Sequence, residues 1–248
     1  MAPVGVYAHR GSPDPATGTG ENTLLAFERA GRLGADGVEL DVRLTADGAM
    51  AVCHDAVVVG VGPIAEAQSA ELPGHVPLLP AALDACRGMT VNIEIKNLPG
   101  EPAFDPGERL AHRVAELVGE AGRGPSVIVS SFWPGTLQAL EEYPDVPTGF
   151  LVTGWPDPEA CVAAAAGLGC RAVHPHLTML STRLVHEAHA AGLAVATWTA
   201  NDRAALLAAK SAGVDMVITD DVSLARSVVG GTRPGEPEMG DGSRSGPF

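Results

Sequence analysis

The chain has 248 residues, 46% of them hydrophobic, and its 30 acidic against 16 basic residues leave a formal net charge of −14. Such a length fits one α/β barrel or two small domains and carries ample apolar content for a sizeable core. The acidic balance opposes non-specific binding to nucleic acid or to an anionic membrane surface, and no apolar run approaches the roughly 20 residues that span a bilayer.

Taken in chain order, apolar β-branched runs predict strands at 4–9, 37–43 (continuing at 49–53 after the turn Ala46-Asp47-Gly48), 90–96, 126–130, 148–152, 171–175, 193–198 and 215–219. Ala/Leu-rich stretches predict helices at 22–33, 79–86, 108–121, 134–143, 158–168, 182–191, 203–212 and 222–229. Asn22 before Thr23, Pro134 after Trp133 and Asn201-Asp202 before Arg203 are start signals. Gly31, Gly34, Gly192 and Gly213 fall where helices should end. Strands alternating with helices in this number predict a single (β/α)₈ TIM barrel over residues 1–231. An open doubly wound sheet is the alternative, but no G-x-G-x-x-G follows the first strand. The segment 56–77 lacks clean periodicity and reads as a long excursion, and the Gly/Pro/Ser-rich 232–248 as a disordered tail. The first strand begins by about Val4, which leaves no room for a signal peptide, so the expected location is cytoplasmic. Cys53, Cys86, Cys161 and Cys170 form no C-x-x-C pair, sit in apolar segments and read as small core side chains.

The active site of such a barrel lies at the C-terminal ends of its strands. The first strand ends in His9-Arg10; the second holds Glu39 and Asp41, and its continuation ends in His54-Asp55. The third holds Glu94 and Lys96, the fourth ends in Ser130-Ser131, the sixth in His174-Pro175-His176 and the seventh in Trp198. Residues two apart on a strand share a face, so Glu39 pairs with Asp41 and Glu94 with Lys96. Charges facing the outer helices would be buried without partners at a cost of several kcal/mol, so they are expected to face inward at the rim. Three converging carboxylates need a counter-charge, and oxygen ligands suit Mg²⁺ or Ca²⁺ rather than zinc. His174 and His176 fit either a site or structural hydrogen bonding. His75, His112, His186 and His189 read as surface residues, and Asp47 as part of a turn. Trp133, Trp155 and Trp198 all fall at or beyond strand ends, with ordinary packing the alternative for the first two.

AHRG at 8–11, ENTLLAF at 21–27, GADGVELDVRLTADG at 34–48, CHD at 53–55, IEIK at 93–96 and ATWTAND at 196–202 resemble the motifs of glycerophosphodiester phosphodiesterases, in the same order and over most of residues 4–221. The resemblance implies a barrel of the phosphatidylinositol-phospholipase-C-like type that hydrolyses small glycerophosphodiesters to glycerol 3-phosphate and an alcohol, with one divalent cation, Mg²⁺ or Ca²⁺. Matched residue by residue, it implies His9 and His54 as the acid/base pair and Glu39, Asp41 and Glu94 as metal ligands. It implies Arg10 and Lys96 as phosphate-binding cations and Trp198 beside the glycerol, and Glu21 is expected to orient Arg10 or a histidine. His9 as base and His54 as acid is the favoured order. The segment after the His-Asp pair, AVVVGVGPIAEAQSAE, lacks the Arg and Thr that family members carry there, which bears on leaving-group recognition. Two other readings are a lysophospholipase D-like enzyme, disfavoured by the acidic charge, and a non-catalytic binding barrel, which should have lost a histidine or carboxylate. Stable membrane association and nucleic-acid partners are not expected.

Overall fold

The computed structural model describes residues 3–230 except 102, 123, 155 and 156. Strands run in the order β1 (Gly5–His9), β2 (Gly37–Leu44), β3 (Met50–Val52), β4 (Val57–Val58), β5 (Gly62–Pro63), β6 (Thr90–Ile95), β7 (Val127–Ser131), β8 (Thr148–Val152), β9 (Ala172–Pro175), β10 (Ala194–Thr197) and β11 (Met216–Thr219). The helices are α1 (Leu24–Arg32), α2 (Leu79–Ala85), α3 (Arg109–Glu120), α4 (Pro134–Ala139), α5 (Pro158–Gly167), α6 (Thr182–Ala190), α7 (Arg203–Ala212) and α8 (Val222–Val229). β1, β2 and β6–β11 pair in parallel, each with its neighbour, and β11 returns to β1. This is the closed (β/α)₈ barrel that the alternation predicts. Outward-facing valines, leucines and isoleucines such as Val6, Val38, Ile93 and Val129 form the core beneath the helices.

Polar side chains start several helices by accepting a backbone N–H three residues on: Thr23 for α1, Ser181 for α6, Asp202 for α7 and Asp221 for α8. The cap of α1 is thus Thr23 and not Asn22, whose φ of 54° sets it apart from the helix. Gly31 lies within α1 rather than at its end; Gly34, Gly192 and Gly213 do follow helices, with positive φ. The 56–77 excursion holds the β4–β5 hairpin and two short 3₁₀ turns. It is tied back where Asp47 accepts hydrogen bonds from the Ser69 amide (3.0 Å) and hydroxyl (2.6 Å). The segment 232–248, read as a tail, lies outside the described residues.

Two features of the barrel position the site. β2 outruns its parallel neighbours and turns back antiparallel as β3, with Val42 opposite Val52, which returns His54 to the β2 tip. On the barrel axis, Tyr7 of β1 lies over Gly37 of β2, where an added Cβ would come within 2.4 Å of its ring. Together with Ala196 and Ile218 it closes the floor below the strand tips.

Candidate active site

At the end of β1 the chain leaves the strand. Arg10 has φ 54°, which breaks strand alternation and lets two consecutive side chains, His9 and Arg10, both face the mouth. Few non-glycine residues adopt this region; here it is held by the Arg10 amide donating to Glu39 Oε2 (3.0 Å) and the Arg10 carbonyl accepting from the Asn22 amide (2.9 Å). The guanidinium lies 2.9 Å from Glu21 Oε1 and 3.2 Å from Asp41 Oδ2. His9 Nδ1 is 2.7 Å from Asp220 Oδ1 beyond β11, and its Nε2 is 3.9 Å from Glu39. Burial lowers the His9 pKa, but the Asp220 hydrogen bond and the charge of Glu39 outweigh it and hold it above the ordinary value.

Glu39, Asp41 and Glu94 are buried side by side, with one oxygen of each within 4.8 Å of the others. β2 and β6 pair with Asp41 opposite Glu94 and Glu39 opposite Asn92, so Glu39 rises from one layer deeper to meet the other two carboxylates. Lys96 Nζ bridges Glu94 Oε1 and Asp41 Oδ1, the latter at 3.1 Å. Burial works against the Asp41 charge, yet Lys96 and Arg10 overcome it and hold the carboxyl below its ordinary pKa. For Glu39 the balance is the other way: burial and then the charge of Asp41 outweigh the pull of His9 and the Arg10 amide and push it up to about 8. Its Oε1 has no hydrogen-bond partner although fully buried. Three clustered carboxylates, one oxygen of them unpartnered, fit a hard divalent cation.

His54 faces the same cavity from the β3 side. Its Nδ1 is 2.8 Å from Asp55 Oδ1, and the buried Arg43 donates to its backbone carbonyl at 2.8 Å while pairing with Glu101 at 2.7 Å. The cavity is about 150 Å³ and lies among His9, Arg10, Glu39, His54, Glu94 and Lys96, with a wall of Trp198, Phe132, Leu151 and Ile218. Trp198 is held by its indole N–H, which donates to the His174 carbonyl (2.9 Å), and its ring meets Phe132 and His176 edge-on.

The structure thus brings His9, His54, Arg10, Lys96, Trp198, Glu39 and Glu94 onto one cavity, with Asp41 buried in the carboxylate cluster beside it and Glu21 behind Arg10. The ambiguous histidines support Trp198 instead. His176 accepts from Thr178 N and packs on the indole, while His174 is buried inside the barrel over Gly149 with neither ring nitrogen partnered. Trp133 packs on Phe104, and the cavity wall is its neighbour Phe132; Trp155 lies outside the described residues. Four residues escaped the sequence reading. Asn22 donates to Asp41 Oδ2 (2.9 Å) and accepts from the Asp41 amide (3.3 Å). Asp220 orients His9, and Asn92 and Phe132 line the cavity. Signals for two of them existed: Asn92 shares the strand face of Glu94, and Asp220 directly follows the eighth strand.

A family model described as the glycerophosphoryl diester phosphodiesterase family matches residues 9–224. A glycerophosphodiester phosphodiesterase of Caldanaerobacter subterraneus is 30% identical over 238 residues, covering 87% of this chain and 93% of its own. The solved glycerophosphodiester phosphodiesterase of Thermotoga maritima aligns with a TM-score of 0.75 at 28% identity, over 90% of this chain and 97% of that one. An Oleispira antarctica phosphodiesterase, solved in complex with the product sn-glycerol-3-phosphate, aligns with a TM-score of 0.78 at 26% identity, over 92% and 97% of the two chains.

Proposed function

The chain belongs to the glycerophosphoryl diester phosphodiesterase family and is a phosphoric diester hydrolase, and on that premise we propose that it cleaves soluble glycerophosphodiesters to glycerol 3-phosphate and an alcohol by His9/His54 acid–base chemistry with one divalent cation. The observation that carries this reading is a single cavity lined by two histidines, two cations and two buried carboxylates, Glu39 with an orphaned oxygen, and backed by the third carboxylate, Asp41. Glu39, Asp41 and Glu94 would hold Mg²⁺ or Ca²⁺. Bound there, the ion neutralises a non-bridging phosphate oxygen and lowers the pKa of an adjacent hydroxyl or water.

Arg10 offers a planar fork to phosphate oxygens and Lys96 a point charge, and Glu21 and Asp41 hold the fork in place. The Nδ1–H of His9, donated to Asp220, leaves the Nε2 lone pair facing the cavity, the tautomer a general base needs. Neutralising Glu39 removes one of the charges that raise the His9 pKa, which favours the free base at working pH. His54, oriented in the same way by Asp55, protonates the departing alcohol. The wall of Trp198, Phe132 and Leu151 receives the glycerol carbons.

No helix among the described residues is long and apolar enough to cross a membrane. The net charge of −14 disfavours anionic surfaces, and four free cysteines fit a cytoplasmic location. We take residues 1–231 as the one catalytic domain. The test is a coupled assay of glycerol 3-phosphate release from a panel of glycerophosphodiesters, with EDTA and add-back of Mg²⁺ or Ca²⁺. Metal-restored release is expected; release undiminished in excess EDTA, or none from any diester, overturns the reading.

A further inference from the structure

Beside the catalytic cavity runs a second depression of about 390 Å³, and His54 lines both. Its apolar part is valine: Val57, Val58 and Val59 from the hairpin and Val76 from the end of the excursion, over the buried Val52 of β3. The polar residues on its edge are Glu21, paired with Arg10, Asp55, paired with His54 of the groove itself, and Asn22 and His75. Exposed large apolar side chains concentrate here. Among the described residues they are Leu24, Leu25, Val57, Val59 and Leu207, and the first four belong to segments that flank this groove, with Val59 96% exposed. Scattered exposed apolar residues are ordinary, but a cluster at the rim of a site marks a binding surface.

We propose that this groove receives the leaving alcohol, and that the preferred substrates are glycerophosphodiesters whose alcohol carries an apolar chain. The inference rests on the glycerophosphodiesterase reading and specifies its substrate class. In the cleavage step the P–O bond to the alcohol breaks, water supplies the hydroxyl that replaces it on phosphorus, and His54 protonates the departing oxygen. The alcohol oxygen must therefore lie beside His54, and the groove continuing from His54 is where its carbons run. The polar side of the cavity is taken by the phosphate ligands, so the two arms of the diester diverge, glycerol toward Trp198 and alcohol toward the valines. The valine-rich segment is the same one that lacks the Arg and Thr of the family pattern.

The experiment measures kcat/KM for glycerophospho-ethanol, -butanol and -hexanol, all monomeric in water, beside glycerophosphocholine. Full burial of a methylene corresponds to about a fourfold gain. In a groove open on one side about twofold per methylene is expected, or roughly tenfold or more from ethyl to hexyl. The V57S/V59S double variant, altered only at exposed positions, should cut the hexyl-to-ethyl ratio by about threefold or more. A flat series, or choline preferred over every alkyl ester, overturns the proposal while leaving the hydrolytic reading intact. If no diester is turned over, the hydrolytic reading fails by itself. The groove is then judged by calorimetric binding of glyceryl ethyl-, butyl- and hexylphosphonate, whose P–C bond does not break. Affinity rising with chain length supports the apolar groove, and constant affinity rejects it.

Discussion

The two sides of the barrel mouth are built from different chemistry. β1, β2 and β6, neighbours in the sheet, supply His9, Glu39, Asp41 and Glu94, with Arg10 and Lys96 at their ends. The opposite arc, β7 to β11, supplies Phe132, Leu151, Trp198 and Ile218, plus Asp220, which serves His9. Buried charge can be assembled only where partners are a few ångströms apart, and adjacent strands in fixed register provide that spacing. The apolar arc needs shape alone. On the proposed chemistry, the charged side would anchor the reacting phosphorus while the apolar side shapes what surrounds it.

The largest effect should come from removing the carboxylates that give the charged side its character. E39Q or E94Q should lower kcat/KM by about three orders of magnitude or more, in the range seen when electrostatic stabilisation is lost. Either change should also abolish the rise in Tm that Mg²⁺ or Ca²⁺ gives the wild type through preferential binding to the folded state. In EDTA the sign reverses for E39Q. Because the native Glu39 carboxyl titrates at about 8, above its ordinary value, the folded state holds its proton more tightly than the unfolded chain. The metal-free wild type therefore loses stability as pH rises from about 4.5 toward 8, and E39Q should be the more stable protein at pH 8. Full turnover in EDTA, or a metal-induced Tm shift that survives in both variants, would break the comparison.

Next come the histidines that link the two sides. H9A and H54A should each lower kcat by about 10²- to 10⁴-fold, the usual range for general acid–base catalysis. A nitrophenyl ester, whose alcohol departs without help from a proton, should rescue H54A and not H9A. Equal rescue of both would refute the assigned roles. H112A, a change at a residue that meets Tyr143 on the outer layer, should leave turnover unchanged.

A smaller effect is expected from K96M, which keeps the stem and removes the charge. Charged hydrogen bonds are worth about 1.5–3 kcal/mol, or roughly 10- to 150-fold in kcat/KM for a glycerophosphodiester. K210M alters a lysine that donates to the Val228 carbonyl on α8 and should leave kcat/KM unchanged. Unaltered kinetics in K96M would remove this residue from the phosphate site.

The last effect falls on stability alone, leaves turnover untouched, and sharpens the contrast from the apolar side. His174 is buried with both ring nitrogens unpartnered, and burial lowers its pKa to about 4. The unfolded chain takes up a proton near pH 6.5, the folded one only near 4, so stability is complete above about 6.5 and is lost as pH falls between those values. The loss approaches about 3 kcal/mol. H174L should abolish it, and urea unfolding of the two proteins from pH 7 to pH 4 should show a widening gap. Parallel profiles would contradict the assignment.

Most of the barrel was legible because each strand is a short apolar run and each helix an Ala/Leu stretch, several with a start signal of their own. The charged side was legible too, since Glu39, Asp41, Glu94 and Lys96 break apolar strands at a spacing of two. Partnerships distant in sequence were not. Asp220 meets His9 across 211 positions, and Asn22 brackets Asp41 across 19. Asn22 read as a helix cap because asparagine suits caps and left-handed turns alike. At the β7 end, local pattern could not decide whether Phe132 or Trp133 turns inward; strand alternation from the unpartnered Ser130 does.

The Tyr7–Gly37 contact that closes the barrel floor has a consequence for traffic. With the floor closed there by Tyr7, substrate and products pass by way of the strand tips, and whatever lies deepest leaves last. On the chemistry proposed above, the phosphate end sits against the carboxylates within, and the alcohol sits outward by the half-exposed His54. The alcohol is the first product to depart, and its departure opens the path by which glycerol 3-phosphate leaves.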